Sequence, residues 1–420
     1  MQATRRGPNN LVLGTTNGDG LLASVIPAGV KGIDKLCTQM QILLDPWTPE
    51  DHFSIYKQIL AVIDEVDPAV VVLDTLFFPG VEAARTRNRV HAIISPNLAS
   101  DTFGSAQPRL GMLWKYPALG SGYPFPVPLT SILPNIYLNM RIIGAILRLS
   151  YFSTKCHFLK AQGIQNAMDL TTTYRPDVPW ITQTLPAAAF PLDIIPPNVT
   201  LAGPILLSTA PAHTQDPELM MWIDRAPTIL INLGTLFTYS IIQAHQMAAA
   251  IEIVLQETPS IQVLWKLTPS PSVKDRINPQ TSSSYLKSTG RVKVVEWFTI
   301  DPAALLVEKN IIAVVTHGGA GGYHEAIASG VPQVVVPLWA DLYNFAQLAE
   351  SRGVGVWACR EMSPEWSGEC LAEAILNVVV GQRAREVRRK ADEMRKECER
   401  WGVGRDVAGD AIAGLARSGR

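Results

Sequence analysis

Cysteine is scarce and scattered in this chain: Cys37, Cys156, Cys359, Cys370 and Cys398 are odd in number and form no CxxC or Cys/His spacing. That pattern predicts neither a disulfide framework nor a zinc site, and it suits a reducing, cytoplasmic compartment. An excess of one charge is also lacking. A net charge of -1 offers no basic footprint for nucleic acid, which is therefore set aside as a partner. No long apolar run is free of charge: the greasiest stretch, 132–151, carries Pro134, Asn135, Asn139, Arg141 and Arg148. It predicts a packed helix, with no more than a weak contact to a membrane surface. Arg5 and Arg6 are followed by an apolar stretch that breaks at once at Thr15-Thr16-Asn17-Gly18-Asp19-Gly20, so no signal peptide is expected. There is no internal repeat.

What is present is a folded profile, 47% apolar and 17% charged, over 420 residues, a length that favours two domains. Short β-branched runs alternate with amphipathic stretches, which predicts an α/β fold with parallel sheets covered by helices. In the second half, strands are expected at 228–233, 261–267, 291–297, 311–316 and 333–337. Ala244, Met247, Ala248, Ile251, Val254 and Leu255 share one face of the helix after the first of these. A Ser-, Pro- and Lys-rich surface loop is expected at 268–290. The first half predicts a strand at 69–74, a helix at 81–89, a strand at 90–95 and a Pro- and aromatic-rich stretch from 103 to 134. Proline is frequent around 196–227, which places the boundary there: domain one at 1–205, a linker at 206–227, domain two at 228–381 and a helical segment at 382–420. The helix at 382–401 mixes acidic and basic residues and reads as a solvated surface helix.

Chemistry concentrates in Ile311-Ile312-Ala313-Val314-Val315-Thr316-His317-Gly318-Gly319-Ala320-Gly321-Gly322-Tyr323-His324-Glu325. A buried strand ends at His317, and glycines then turn the chain into a helix whose first N–H groups can receive a diphosphate. Gly318, Gly319, Gly321 and Gly322 carry no Cβ to block a phosphate. His317 supplies a cation or donor beside it, and Glu325, one turn on, can accept from a ribose diol.

The run Trp297, Thr316-His317-Gly318-Gly319, Glu325-Ala326, Gly330-Val331-Pro332, Pro337-Leu338-Trp339-Ala340-Asp341 and Asn344 resembles the donor-binding signature of the UDP-dependent glycosyltransferases. The resemblance implies a GT-B fold, two Rossmann-like domains facing a cleft, and carries roles with it. Trp297 stacks on uracil, His317 and the Gly319–Gly322 amides hold the diphosphate, Glu325 binds ribose and Asp341 binds the sugar. Gly234 and Thr235 lie at the mouth of the cleft, and Trp339 and Asn344 complete the donor set. No metal or other cofactor is implied, and no Asp-x-Asp pair is present. The sequence departs from the family at Leu342, where Gln is frequent, at Gly321 and Gly322, where plant members carry Asn and Ser, and at Ile300, where Gln helps hold uracil.

On the acceptor side, Asp74 ends a strand and matches the family's dyad aspartate. The family's catalytic histidine follows the first strand, but no histidine precedes His52, which reads as a surface residue at a helix start. His91 and His157 read as structural. An N-terminally shortened first domain is therefore expected. The reading is inverting transfer of a hexose from a UDP-sugar to a hydroxyl of a small lipophilic acceptor, with residues 114–128 lining an apolar pocket, as in fungal members that decorate terpenoids, sterols or polyketides. The alternatives are a non-catalytic nucleotide-sugar-binding protein and a nucleotide-sugar epimerase.

Overall fold

The computed structural model describes residues 25–44, 46–148, 150–165, 167–168, 177–270, 286 and 288–418. The signal-peptide reading at 1–24 and most of the loop expected at 268–290 lie outside the described residues.

Two parallel sheets organise the chain. The first runs in the order β1 (Val71–Asp74), β2 (His91–Ser95), β3 (Trp180–Thr182), β4 (Val199–Leu201). The second contains β5 (Thr228–Asn232), β6 (Gln262–Lys266), β7 (Val292–Val295), β8 (Ile311–Thr316), β9 (Gln333–Val335) and β10 (Gly355–Trp357), in the order β10-β9-β8-β5-β6-β7. Residues such as Ile229, Ile231, Val263, Ala313 and Val315 are almost fully buried, as expected of strands covered on both faces. Chain order reverses between β5 and β8, which pair in parallel with Asn232 opposite Thr316. In such a doubly wound sheet a crevice opens at that point, at the strands' C-terminal ends. The predicted face of the helix Ile241–Glu257 is buried as expected.

Several expectations are corrected. Residues 212–223, assigned to a linker, form helices whose Leu219, Met220 and Ile223 pack into the second domain's core. The helix Gly381–Trp401 is solvated on one face only: Ala384, Val387, Ala391, Met394 and Cys398, spaced three and four apart, are buried. It runs back to the first domain, where Trp401 Nε1 donates to Leu201 O at 3.3 Å, and the following helix Gly404–Ser418 packs Ala408 against Ile181 and Ala202. His52 is not at the surface. It is fully buried on the helix Pro49–Val66, with Nε2 2.7 Å from Glu82 Oε2. The apolar helix Ile132–Arg148 is less packed than expected, burying only Asn135 and Leu138 and exposing Leu133, Tyr137, Met140 and Leu147. The stretch Leu129–Ala161 has the length and composition of a membrane-crossing helix. Cys359 and Cys370 are paired as a disulfide, against the expectation of none. The turn from β10 to the helix Gly368–Val379 brings their Cα atoms to 5.7 Å, a separation at which a disulfide forms.

Candidate donor-binding site

The C-terminal edge of the second sheet gathers one residue after another at the crevice. β5 leads to Gly234 and Thr235, β6 ends at Lys266, β7 leads to Trp297, β8 to His317, and β9 to Trp339 and Asp341. The His317 ring is clamped between two glycines. A Cβ on Gly234 would lie 2.6 Å from His317 Cε1, and one on Gly319 would lie 2.6 Å from Nε2. Gly234 also needs its left-handed backbone, at φ +84°, to make the turn out of β5. Nδ1 of His317 is buried with no hydrogen-bond partner among the described residues. Burial, helped by the nearby Lys266 ammonium, lowers the His317 pKa to about 4, so the ring is neutral at physiological pH. It serves as a hydrogen-bonding group, not as the cation that the sequence reading also allowed.

Gly319 caps the helix Ala320–Ser329, whose first amides face the crevice as expected for an anion site. Gly318 serves the backbone: its φ is +83°, and a Cβ there would meet Val335 at 2.8 Å. Around Gly321, by contrast, a Cβ would meet nothing within 4 Å. Glu325 is half-buried, and burial, then Asp301, raises its pKa. Trp297 is 59% exposed, so it is not a core aromatic, and its free face can stack on a base. Lys266 Nζ lies 3.8 Å from its ring centroid. Trp339 is partly buried, with its ring centroid 6.1 Å from that of His317. Ile300 and Leu342 are both turned into the core, so neither reaches a ligand.

Asn344 differs from the donor role first given to it. Its side chain is fully buried at the seam between the domains, where Oδ1 accepts from Gly122 N at 3.2 Å and Nδ2 donates to Ala118 O at 3.4 Å. The aromatic-rich stretch of the first domain is thereby held against the end of β9, and the C-terminal edges of the two sheets face each other.

Asp101, unnoticed in the sequence because a lone acid in a short helix carries no pattern, belongs to this seam. It follows β2 on Ala99–Thr102, beside Ser100 and Asn344, and faces Asp341. Its Oδ2 is buried with no hydrogen-bond partner among the described residues. Burial, then repulsion from Asp341, pushes its pKa up to about 8, and burial raises Asp341 to about 6. The charge of Asp341 thus adds to burial in keeping Asp101 un-ionised. A raised carboxyl holds its proton in the folded state. Its stabilising contribution is therefore complete below about pH 4, the value for an unfolded aspartate, and is lost as pH climbs towards 8. Asp101→Asn is expected to raise the melting temperature relative to the parent more at pH 8 than at pH 5. Equal differences at the two pH values would show that Asp101 is not held protonated.

Asp74 ends β1 with its side chain exposed, and its Oδ1 accepts from Leu76 N at 2.9 Å. No histidine hydrogen-bonds it among the described residues. His52 is taken by Glu82, His91 opens β2 opposite Val71 at the far end of the strand pair, and His157 is exposed on its helix.

A crevice at a strand-order reversal, bordered by a glycine-clamped histidine, a helix N-terminus and an exposed tryptophan, defines a nucleotide-sugar site on a two-domain α/β protein. A family model described as UDP-glucoronosyl and UDP-glucosyl transferase matches residues 136–387, and the chain belongs to the UDP-glycosyltransferases. It is 31% identical to the glycosyltransferase sdnJ of Sordaria araneosa, over 93% of this chain and 80% of that protein. It is 28% identical to the 2-hydroxyacylsphingosine 1-beta-galactosyltransferase of Rattus norvegicus, over 52% of this chain and 36% of that one. In fold it is similar to a UDP-glucosyltransferase from Polygonum tinctorium capable of glucosylating indoxyl, at a TM-score of 0.60 and 16% identity, covering 88% of this chain and 81% of that one. A UDP-glucose:anthocyanidin 3-O-glucosyltransferase in complex with UDP gives a TM-score of 0.58 at 15% identity, covering 98% and 87%. The GT-B architecture expected from the sequence is the one observed.

Proposed function

We propose that this glycosyltransferase moves a hexose from a UDP-sugar, with inversion, to a hydroxyl of a small lipophilic acceptor in secondary metabolism. The observation that carries the reading is the clamped His317 beside the first amides of Ala320–Ser329, with Trp297 open for a base. In the reaction the acceptor oxygen bonds to the anomeric carbon and releases its proton to the solvent, the bond to the β-phosphate oxygen breaks, and UDP leaves with the electron pair. Helix-end amides and the His317 ring would meet that negative charge, which supports a reaction without a metal ion. Asp74, exposed at the C-terminal end of β1, is assigned the acceptor side.

The acceptor preference is supported by the stretch anchored on Asn344. There Tyr116 and Phe125 meet at a tilt with centroids 5.2 Å apart, and Phe125 stacks on Phe190 at 5.6 Å. The test is to incubate the purified chain with UDP-hexoses and a panel of lipophilic alcohols, with and without EDTA. A β-glycoside and free UDP in equal amounts, at a rate unchanged by EDTA, are expected from an α-linked donor. An α-glycoside, or interconversion of the UDP-sugar with no acceptor present, would end the proposal.

A further inference from the structure

Lys266 is the last residue of β6, only 5% exposed, and no other part of the site explains why it is charged. Its ammonium donates to Gly234 O at 2.8 Å and sits over the Trp297 ring, and among the described residues it forms no ion pair with a carboxylate. An ammonium has three N–H donors, and burying one against a single carbonyl and a ring carries a large desolvation penalty. If Lys266 only strapped Gly234 to Trp297, an uncharged side chain would do so at less cost. Desolvation lowers its pKa to about 8, as expected of a cation held without a counter-ion.

The charge balance of the crevice supplies the reason. A nucleoside diphosphate brings at least two negative charges, and Asp341 and Glu325 add acids around it. His317 is neutral, and a helix N-terminus contributes only about half a charge. Among the strand-end residues Gly234, Thr235, Lys266, Trp297, His317, Trp339 and Asp341, the positive charge belongs to Lys266 alone.

We propose that Lys266 is the cation of the donor site: its two remaining N–H groups bind the diphosphate of the UDP-sugar and meet the charge that builds on the β-phosphate oxygen as the bond to the sugar breaks. No proton need be transferred, because the ammonium acts as a charged hydrogen-bond donor beside the leaving oxygen. The strap to Gly234 keeps it aimed at the same crevice as the His317 ring, which packs on that same glycine.

This inference rests on the donor-site reading, and the experiment separates the two. UDP and uridine are titrated calorimetrically into the full chain as the parent, Lys266→Gln and Lys266→Arg. Loss of a charged hydrogen bond predicts that Lys266→Gln binds UDP about 10- to 100-fold more weakly. Uridine affinity should stay within about threefold, which also reports an intact fold, and Lys266→Arg should recover most of the UDP affinity. Equal losses for UDP and uridine would reduce Lys266 to a structural strap, and unchanged UDP affinity would remove it from the site. Failure of the parent chain to bind UDP would overturn the donor-site reading together with the inference.

Discussion

Gly319→Ala is expected to lower the affinity for UDP about 10- to 100-fold, the scale of losing a hydrogen bond to a charged phosphate. The added methyl would lie 2.6 Å from His317 Nε2 and 2.7 Å from Cε1, and the ring has no room to yield because the backbone of Gly234 closes its other side. The backbone itself is not strained by the change: Gly319 has φ -65° and ψ 147°, which any residue adopts. Circular dichroism should therefore be unaltered while calorimetry with UDP shows the loss. Gly409→Ala, on the exposed face of the helix Gly404–Ser418, is the control. It meets nothing within 4 Å and should leave affinity within about threefold, the effect expected of a surface change. Similar losses for both variants would show that the ring clamp does not govern binding.

Glu82→Ala is expected to destabilise the first domain by about 3–5 kcal/mol, the range for removing one partner of a buried pair. Glu82 accepts from Met168 N at 2.8 Å and meets His52 Nε2 at 2.7 Å, and both His52 and Glu82 are almost wholly out of solvent. Without the carboxylate, the His52 ring and the Met168 amide are left buried with unsatisfied donors. Urea unfolding followed by fluorescence measures the loss. Replacing His52 and Glu82 together by leucine should recover part of it, because no orphaned ring then remains, although the Met168 amide stays unpaired. A change below about 1 kcal/mol in the single variant would mean that the pair carries no such weight.

What the sequence disclosed follows from how each feature is encoded. β8 was bounded correctly because Ile311–Thr316 is a continuous apolar run with a glycine turn after it. β3, β4 and β10 show no period in their three residues, whereas the equally short β9 was legible because Gln333–Val335 continues into the apolar Val336-Pro337. His52 lies in a segment that begins Pro49-Glu50-Asp51, a helix start rich in charge, and nothing local announces that Glu82, thirty positions on, is waiting for it. Asn344 was read from its position in the motif as a donor contact. Its true partners, Gly122 and Ala118, are more than 200 residues away, beyond what any local pattern can reveal. Lys266 was missed because a charged residue closing an apolar strand reads as the place where the strand reaches water.

The return of Gly381–Trp401 to the first domain means that the backbone crosses between the two lobes twice. The two crossings lie side by side. A Cβ on Gly404 would sit 2.2 Å from Pro204 O, and one on Gly203 would strike the Trp401 indole at 2.9 Å. A single connection would let the lobes swivel freely, whereas paired connections at one edge leave chiefly a clamshell rotation about the line that joins them. Any opening or closing of the cleft would then turn about Gly203-Pro204 and Gly402-Val403-Gly404, where the two crossings touch.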